Sequence, residues 1–221
     1  MIEVVLDTET TGLKVQDGHR IVEIGCIELK DLIPTNRKFH YYLNPERKVS
    51  EDAFKIHGYT DDFLSNQKKF SQVVDEFLKF IEGKRLVIHN AEFDISHINN
   101  ELSLLGKNNI KEEVIDTLKV AREKFPGASI SLDALCKRFN IDNSKREKHN
   151  AIMDCELLSK VYINLLDQRE PKFELKVERD MGEQNSLTKI IYNKKIVKPT
   201  KEEFQLHKEF LKKEIKKNFF N

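Results

Sequence analysis

The sequence predicts an α/β fold: a mixed five-stranded sheet, part antiparallel and part parallel, flanked by helices and followed by a C-terminal extension. Three observations carry this expectation. Strand-like runs come first, with no helical period between residues 3 and 43. Short apolar runs then alternate with helical runs from about residue 70 to 166, the order that builds parallel strand pairs. Beyond residue 170 the composition turns charged and basic.

The first strand is the apolar run from residue 3 to Asp7, followed by the turn-like Thr10-Thr11-Gly12. It puts Asp7 at the end of a buried strand and Glu9 just beyond it. Arg20 to Leu29 alternates loosely and forms a second strand, and Lys38 to Leu43 a third, closed by Asn44-Pro45, so the chain opens as an antiparallel meander. Helical spacing follows: Phe70, Val73, Val74, Phe77, Leu78 and Ile81 recur at i, i+3, i+4 and i+7, and Gly83 suits a C-cap. Leu86-Val87-Ile88 is a short buried strand. Phe93, Ile95, Ile98, Leu102 and Leu105 mark the next helix, which stops at Gly106 and carries Asp94 in its first turn. A further strand-to-helix step falls at Val114-Ile115-Asp116. Residues 131–139 place Leu132, Leu135 and Phe139 on one helical face, and a long helix spans about 150–166.

Composition sets the class. With 39% hydrophobic and 34% charged residues among 221, the chain can bury a core and has no apolar stretch of membrane-spanning length. The N-terminus runs into Ile2-Glu3-Val4-Val5-Leu6 without a basic leader, which argues against secretion. Cys26, Cys136 and Cys155 are widely spaced and in no CxxC pair, which argues for free thiols and against a structural zinc site. A cytoplasmic protein is expected. The net charge of +1 excludes a chain that grips duplex DNA along its whole length, but it conceals an asymmetry. From residue 171 onward there are 13 Lys and Arg against 8 Asp and Glu, which leaves residues 1–170 acidic. An acidic body suits a site that collects cations, and a basic tail suits nucleic acid or an acidic partner.

The residues that carry chemistry are acidic. Asp7 and Glu9 are two apart, so in a continuing strand both side chains meet one face, where like charges repel unless a cation intervenes. Taken alone, a DxE pair is more often a surface turn. Asp94 alters that balance, because it follows a buried strand as Asp7 ends one, and α/β folds bind ligands at the carboxyl ends of strands; Glu92 competes for the same role. His149 and Asp154 complete the set in His149-Asn150-Ala151-Ile152-Met153-Asp154. With His149 just ahead of the helix and Asp154 in its first turns, both can reach one site, and histidine is the side chain best poised to take a proton near neutral pH. Phosphate-loop, nucleophile-elbow and HExxH zinc motifs are missing from the sequence.

These residues resemble the DEDDh, or DnaQ-like, exonucleases, a family with the ribonuclease H-like fold. Asp7-Thr8-Glu9-Thr10-Thr11-Gly12 matches the first motif, His89 to Asp94 the second and His149 to Asp154 the third, in order and spacing. Arg20-Ile21-Val22-Glu23-Ile24-Gly25, Ile56-His57-Gly58, Asp116-Thr117-Leu118 and Ser131 to Cys136 are similar to accessory signatures of the family's epsilon branch, the proofreading subunits of bacterial DNA polymerase III. The resemblance implies a 3′–5′ exonuclease that removes 5′-mononucleotides from mispaired DNA 3′ ends. It implies two divalent cations, Mg²⁺ or Mn²⁺, held by Asp7, Glu9, Asp94 and Asp154, with Asp7 shared between them and Asp94 acting through water. His149 is implied as the base that activates water. Thr8, Thr10, Leu13, His57 and Phe93 are implied to face the terminal nucleotide, with Asp116 shaping the pocket.

The resemblance divides the chain into an exonuclease domain (1–168), a linker with room for a hairpin around Lys189-Ile190-Ile191-Tyr192 (169–200), and an amphipathic basic helix (201–221). That helix, with Phe204, His207, Leu211 and Ile215 on one side, is the candidate to dock a polymerase alpha-type subunit, or to pack on its own domain. Gln168 to Phe173 stands where a clamp-binding peptide is expected, but Pro171 replaces its aliphatic anchor, which argues against clamp binding. Two alternatives stay open: a free-standing exonuclease acting on RNA or short oligonucleotides, and a non-catalytic polymerase assembly subunit.

Overall fold

The structure, a computed structural model, describes residues 1–144, 146, 148–166 and 199–214, with 212–214 described by backbone alone. Five strands form one sheet in the order β3-β2-β1-β4-β5. They are β1 (Ile2–Thr10), β2 (Ile21–Lys30), β3 (Ile33–Tyr42), β4 (Arg85–Ile88) and β5 (Val114–Asp116). β1, β2 and β3 pair antiparallel, whereas β4 and β5 run parallel to β1. The ribonuclease H-like mixed sheet expected from the sequence is therefore present. β2 and β3 are joined at Asp31 and Leu32, both at positive φ (50° and 66°), as a tight hairpin requires.

β1 lies at the centre and runs further than its apolar residues indicate. Hydrophobicity ends at Leu6, but the ladder to β2 continues through Glu9 and Thr10, so Glu9 lies inside the strand and not beyond it. Pairing with a neighbouring strand, not side-chain polarity, decides where this strand ends. The strand period then sorts its residues. Val4 and Leu6 pack on one face with Phe77, Ile81, Ile98 and Leu102 from α3 (Val74–Ile81) and α4 (Ala91–Leu104). Val5 packs on the other face with Cys155, Leu158 and Tyr162 from α7 (Ala151–Leu165). Asp7 and Glu9, in phase with Val5, face α7, and Thr8 faces α4.

Shorter elements complete the body, among them a 3₁₀ turn at Val15–Asp17. α1 (Glu51–His57) and α2 (Asp61–Ser65) fill a stretch in which the sequence shows no helical period, because both are too short to display one. Their start signals are nonetheless present: the side chains of Ser50 and Thr60 accept hydrogen bonds from the N–H groups of Ala53 and Phe63. The helix expected over 70–81 is divided, with a 3₁₀ turn at Phe70–Gln72 ahead of α3. α5 (Thr117–Lys124) and α6 (Leu132–Arg138) lie against the outer side of α7 around Ala121, Leu135, Leu157 and Val161. All three cysteines are buried and unpaired.

The chain divides into two compact units, Met1–Phe173 and Glu174–Asn221. In the second unit α8 (Lys201–Glu214) is a helix whose Phe204, Leu206 and Phe210 are exposed. The expected hairpin at Lys189 to Tyr192 and the segment Gln168 to Phe173 lie outside the described residues. Among the described residues no helix is long and apolar enough to cross a membrane.

Candidate active site

Four carboxylates and a histidine converge where β1, α4 and α7 meet. α7 is brought there by a close approach to β2. Gly25 is paired with Asp7 across the ladder, and a Cβ at Gly25 would sit 2.8 Å from the backbone of Ala151 and Ile152. Only glycine lets the start of α7 lie directly on the strand. Asn150 caps the helix, accepting from the Met153 N–H at 3.1 Å, so Asp154 projects from the first turn and His149 stands just before the cap. Glu9, His149 and Asp154 have ligand-type atoms all within 4.8 Å of one another.

Asp94 enters from the opposite face. Asn90, at φ 70°, turns the chain from β4 into α4, and the Asp94 carboxylate accepts from the Thr8 N–H at 2.9 Å and the Thr8 hydroxyl at 2.7 Å. Thr8, expected to face the nucleotide, is thus occupied in holding Asp94. Glu92 is exposed whereas Asp94 is 2% exposed, which separates the two competitors. Asp116 is a structural cap: it accepts from Leu118 N–H at 3.0 Å and Asn90 N–H at 3.1 Å, tying β5 to the turn that presents Asp94.

The electrostatics are those of anions crowded without enough positive charge. Burial, followed by the neighbouring Asp94, Glu9 and Asp154, holds Asp7 well above the ordinary carboxylate range. Glu9 is pushed up to about 8 by burial and then by Asp154, Glu23 and Asp94, partly offset by Arg146. Asp94 is pushed up to about 7 by burial, against the two bonds from Thr8. His149 is lowered by burial and by Arg146, with Asp154 and Asp133 opposing.

Arg146, which sequence reading missed, is the one cation in this cluster among the described residues. Its Nε and Nη2 donate to the two oxygens of Asp154 at 2.6 and 2.7 Å, its Nη1 donates to Asp133 at 2.8 Å, and Nη2 lies 2.9 Å from His149 Nδ1. The side chain is only 7% exposed. Its place in the charged run Lys145 to Lys148 reads as solvated loop; the available signal was its spacing three residues before His149.

Beside the acids is a cleft of about 360 Å³ that includes Thr10, Leu13, Ile56, His57 and Phe93. It brings together four of the five expected nucleotide-facing residues, with Thr8 excluded. Leu13, at 75% exposure, and the half-buried Phe93 provide apolar walls. His57 has a fixed hydrogen-bonding role: its Nδ1 accepts from Tyr59 N–H at 3.0 Å, so Nε2 carries the proton toward Thr10 O at 3.3 Å. Ile56, part of an expected signature, and the neighbouring Ser50 and Ala53 are further lining residues that no spacing argument singles out.

The donor set suits a hard divalent cation, with carboxylate oxygens predominating and at most one imidazole. Asp7 and Glu9 stand side by side on one face of β1 with no hydrogen-bond donor to either carboxylate among the described residues, and a cation is what such a pair needs.

Comparison with known proteins supplies the family. Residues 4–162 match the RNase_T model, described as an exonuclease. DNA polymerase III subunit epsilon of Rickettsia felis is 48% identical over 223 aligned residues, covering 97% of each chain. The protein of that name from Escherichia coli K12 is 47% identical over 169, covering 73% of this chain and 70% of its own. Among solved structures, exonuclease X in complex with 5′ overhanging duplex DNA superposes with a TM-score of 0.60 at 25% identity, over 76% of this chain and 92% of that one. The nuclease domain of 3′hExo, a DEDDh family member bound to rAMP, shares the fold at a TM-score of 0.65 and 18% identity, over 75% and 92%. With a family model across most of its length, relatives close to half identical and the acids and histidine gathered at one strand end, this chain belongs to the DEDDh, or DnaQ-like, exonuclease family.

Proposed function

We propose that the chain is a 3′–5′ exonuclease that removes nucleoside 5′-monophosphates from mispaired DNA ends, as the proofreading subunit of a replicative polymerase. The observation that carries this reading is the convergence of Asp7, Glu9, Asp94, Asp154 and His149 beside a cleft sized for one nucleotide. The relatives' name, DNA polymerase III subunit epsilon, supports the replicative setting.

Asp7, Glu9, Asp94 and Asp154 would hold two divalent cations, Mg²⁺ or Mn²⁺. When bound, such a pair supplies positive charge to the attacking and leaving oxygens of an in-line displacement. The chain's own residues do the rest. His149, lowered by its surroundings and neutral at pH 7, accepts a proton from the attacking water as the P–O3′ bond breaks. Thr8 fixes the Asp94 carboxylate so that it does not rotate during turnover. Leu13, Ile56 and Phe93 offer apolar surface to the terminal base, while His57 and Thr10, hydrogen-bonded to each other, form the inner wall of the cleft. A paired terminus is held in its duplex, so an unpaired one enters this cleft at lower cost.

The test compares degradation of 3′-mispaired DNA, single-stranded DNA and RNA by the full chain with Mg²⁺ or Mn²⁺. Preference for the DNA substrates and loss of about 10³-fold or more in rate for Asp7→Ala are expected. Preference for RNA overturns the proofreading reading, and an unaffected Asp7→Ala overturns the metal assignment.

For the C-terminal unit, α8 supports a polymerase alpha-type partner because it is amphipathic and leaves Phe204, Leu206 and Phe210 exposed. The Rickettsia felis relative aligns over nearly the full chain, past the end of the family model at residue 162. Co-purification with a polymerase subunit should require residues 171–221; retention without them overturns this assignment.

A further inference from the structure

Glu23 is a buried carboxylate that the chemistry above does not use. It lies in β2, paired with Glu9 on one side and Tyr42 on the other, with 0% exposure. Four donors from three parts of the chain, the start of α7, the turn after α1 and strand β3, converge on it. The Ala151 N–H at the start of α7 donates to Oε2 at 2.9 Å, and Asn150 Nδ2 to Oε1 at 2.9 Å. The Tyr59 hydroxyl donates to Oε2 at 2.7 Å, and His40 Nε2 lies 2.7 Å from Oε1. Asn150 Nδ2 also lies 3.0 Å from the Tyr59 hydroxyl and 3.3 Å from that of Tyr42, so the network is closed on itself.

Its placement gives it leverage. Asn150 and Ala151 are the cap and first residue of α7, immediately after His149, and Asp154 follows one turn later. Tyr59 stacks on His57 with ring centroids 4.7 Å apart, and the N–H of Tyr59 sets the His57 tautomer. The Gly25 contact presses α7 against β2 but does not fix rotation of the helix start; the carboxylate at Glu23 does, by receiving the first α7 N–H and the cap side chain together. We infer that Glu23 is a positioning residue for the nuclease reaction, one buried carboxylate that holds His149 and Asp154 on one side and His57 on the other in a single geometry. A caged carboxylate of this kind orients the groups that touch substrate without touching it. The inference rests on the exonuclease reading of the site.

The test is a double-mutant cycle on the full chain with single-stranded DNA. Glu23→Gln keeps the volume but cannot accept from four donors, and Tyr59→Phe removes one donor with little change in shape. Glu23→Gln is expected to lower kcat by about 10- to 100-fold, with KM changed less than about threefold. Tyr59→Phe should lower kcat by a smaller factor. Because both act through one network, the double variant should be no slower than Glu23→Gln alone, whereas independent effects multiply. A merely structural carboxylate would lower Tm and leave kcat unchanged below the melting range. An unchanged kcat in Glu23→Gln, or multiplicative losses, overturns the inference. If Glu23→Gln does not fold, Tyr59→Phe decides alone: a kcat within experimental error of wild type overturns it. An inactive wild-type protein would instead overturn the exonuclease reading, so the two failures are distinguishable.

Discussion

Two sets of buried acids lie in and against this sheet, and they are treated in opposite ways. Glu23, Glu28 and Glu101 are saturated with donors: Glu101 takes both Nε and Nη2 of Arg20 at 2.6 Å, and Glu28 takes Lys84 at 2.7 Å together with Arg37 and Thr35. Asp7 and Glu9, on the neighbouring β1, receive no such donors among the described residues and are driven upward by burial and then by the surrounding carboxylates. A buried acid that serves the fold is neutralised by the fold, because an unpaired charge costs several kcal/mol. One that serves a cation is left short, and the shortfall is the site's affinity. Asp94 stands between, steadied by Thr8 yet still at about 7.

The largest effect expected from this contrast is at His149. It sits within 4.8 Å of Glu9 and Asp154, close enough to be either a base or a ligand. If it acts as the base, His149→Ala lowers kcat by about 10²- to 10⁴-fold while Mn²⁺ affinity, measured by calorimetry, changes little. A parallel loss of affinity would make it a ligand.

Stability is expected to separate the two sets of acids with opposite signs. Glu101→Ala strips Arg20 of both bonds and should lower Tm by roughly 5–10 °C, the scale of a loss near 2–3 kcal/mol. Glu9→Gln should raise Tm in a chelator at pH 8, because it removes an anion that the fold disfavours. The pH dependence has the same origin. Asp94 and Glu9 titrate higher in the folded chain than in the unfolded one, so the folded state binds more protons between about pH 4 and 8 and stability falls as pH rises through that window. Added Mn²⁺ should flatten the fall. A Tm in chelator that is independent of pH, or that rises with it, would show that these acids are neutralised within the protein.

Much of this arrangement is legible in the amino-acid order, and the residues that are not have a common cause. The starts of β1, β2, β4 and β5, with α4, α6 and α7, are readable from their apolar runs, as Phe93 to Leu105 shows for α4, whereas β3 begins at Ile33, five residues ahead of the expected Lys38, because its first half is mostly exposed and polar. Asp7, Asp94, Asp154 and His149 are readable because their motifs abut those periodic elements. The reach of β1 past Leu6 is not, since only its partner strand extends it. α1 and α2 escape for shortness, and with them the Ser50, Ala53 and Ile56 side of the cleft. Thr8 is legible as a site residue but not for its task, because its bond to Asp94 spans 86 positions. Arg146 and Glu23 are hidden for the same reason: their partners lie on other elements, and neither a charged run nor a strand glutamate announces them.

Arg146 also permits the finest division between the two sets of acids. It gives Asp154 the paired donors that the structural acids enjoy, although Asp154 belongs to the cation-seeking cluster. A guanidinium and a divalent cation at Asp154 share the same two oxygens and repel each other, so Arg146 opposes a cation there. Arg146 also lowers Glu9, and its removal would leave the acids more crowded and more receptive to a cation. Both effects have one sign. Arg146→Gln is therefore expected to tighten Mn²⁺ binding by a few-fold, a change of about 1 kcal/mol by the relation between affinity and free energy, and to lower Tm in chelator. Asp133→Asn, which loosens only the far end of the guanidinium, should shift both quantities in the same directions by less. Weaker Mn²⁺ binding in Arg146→Gln would place Arg146 with Thr8, as a residue that orients a ligand, and would move Asp154 across the line between acids the fold neutralises and acids it leaves for metal.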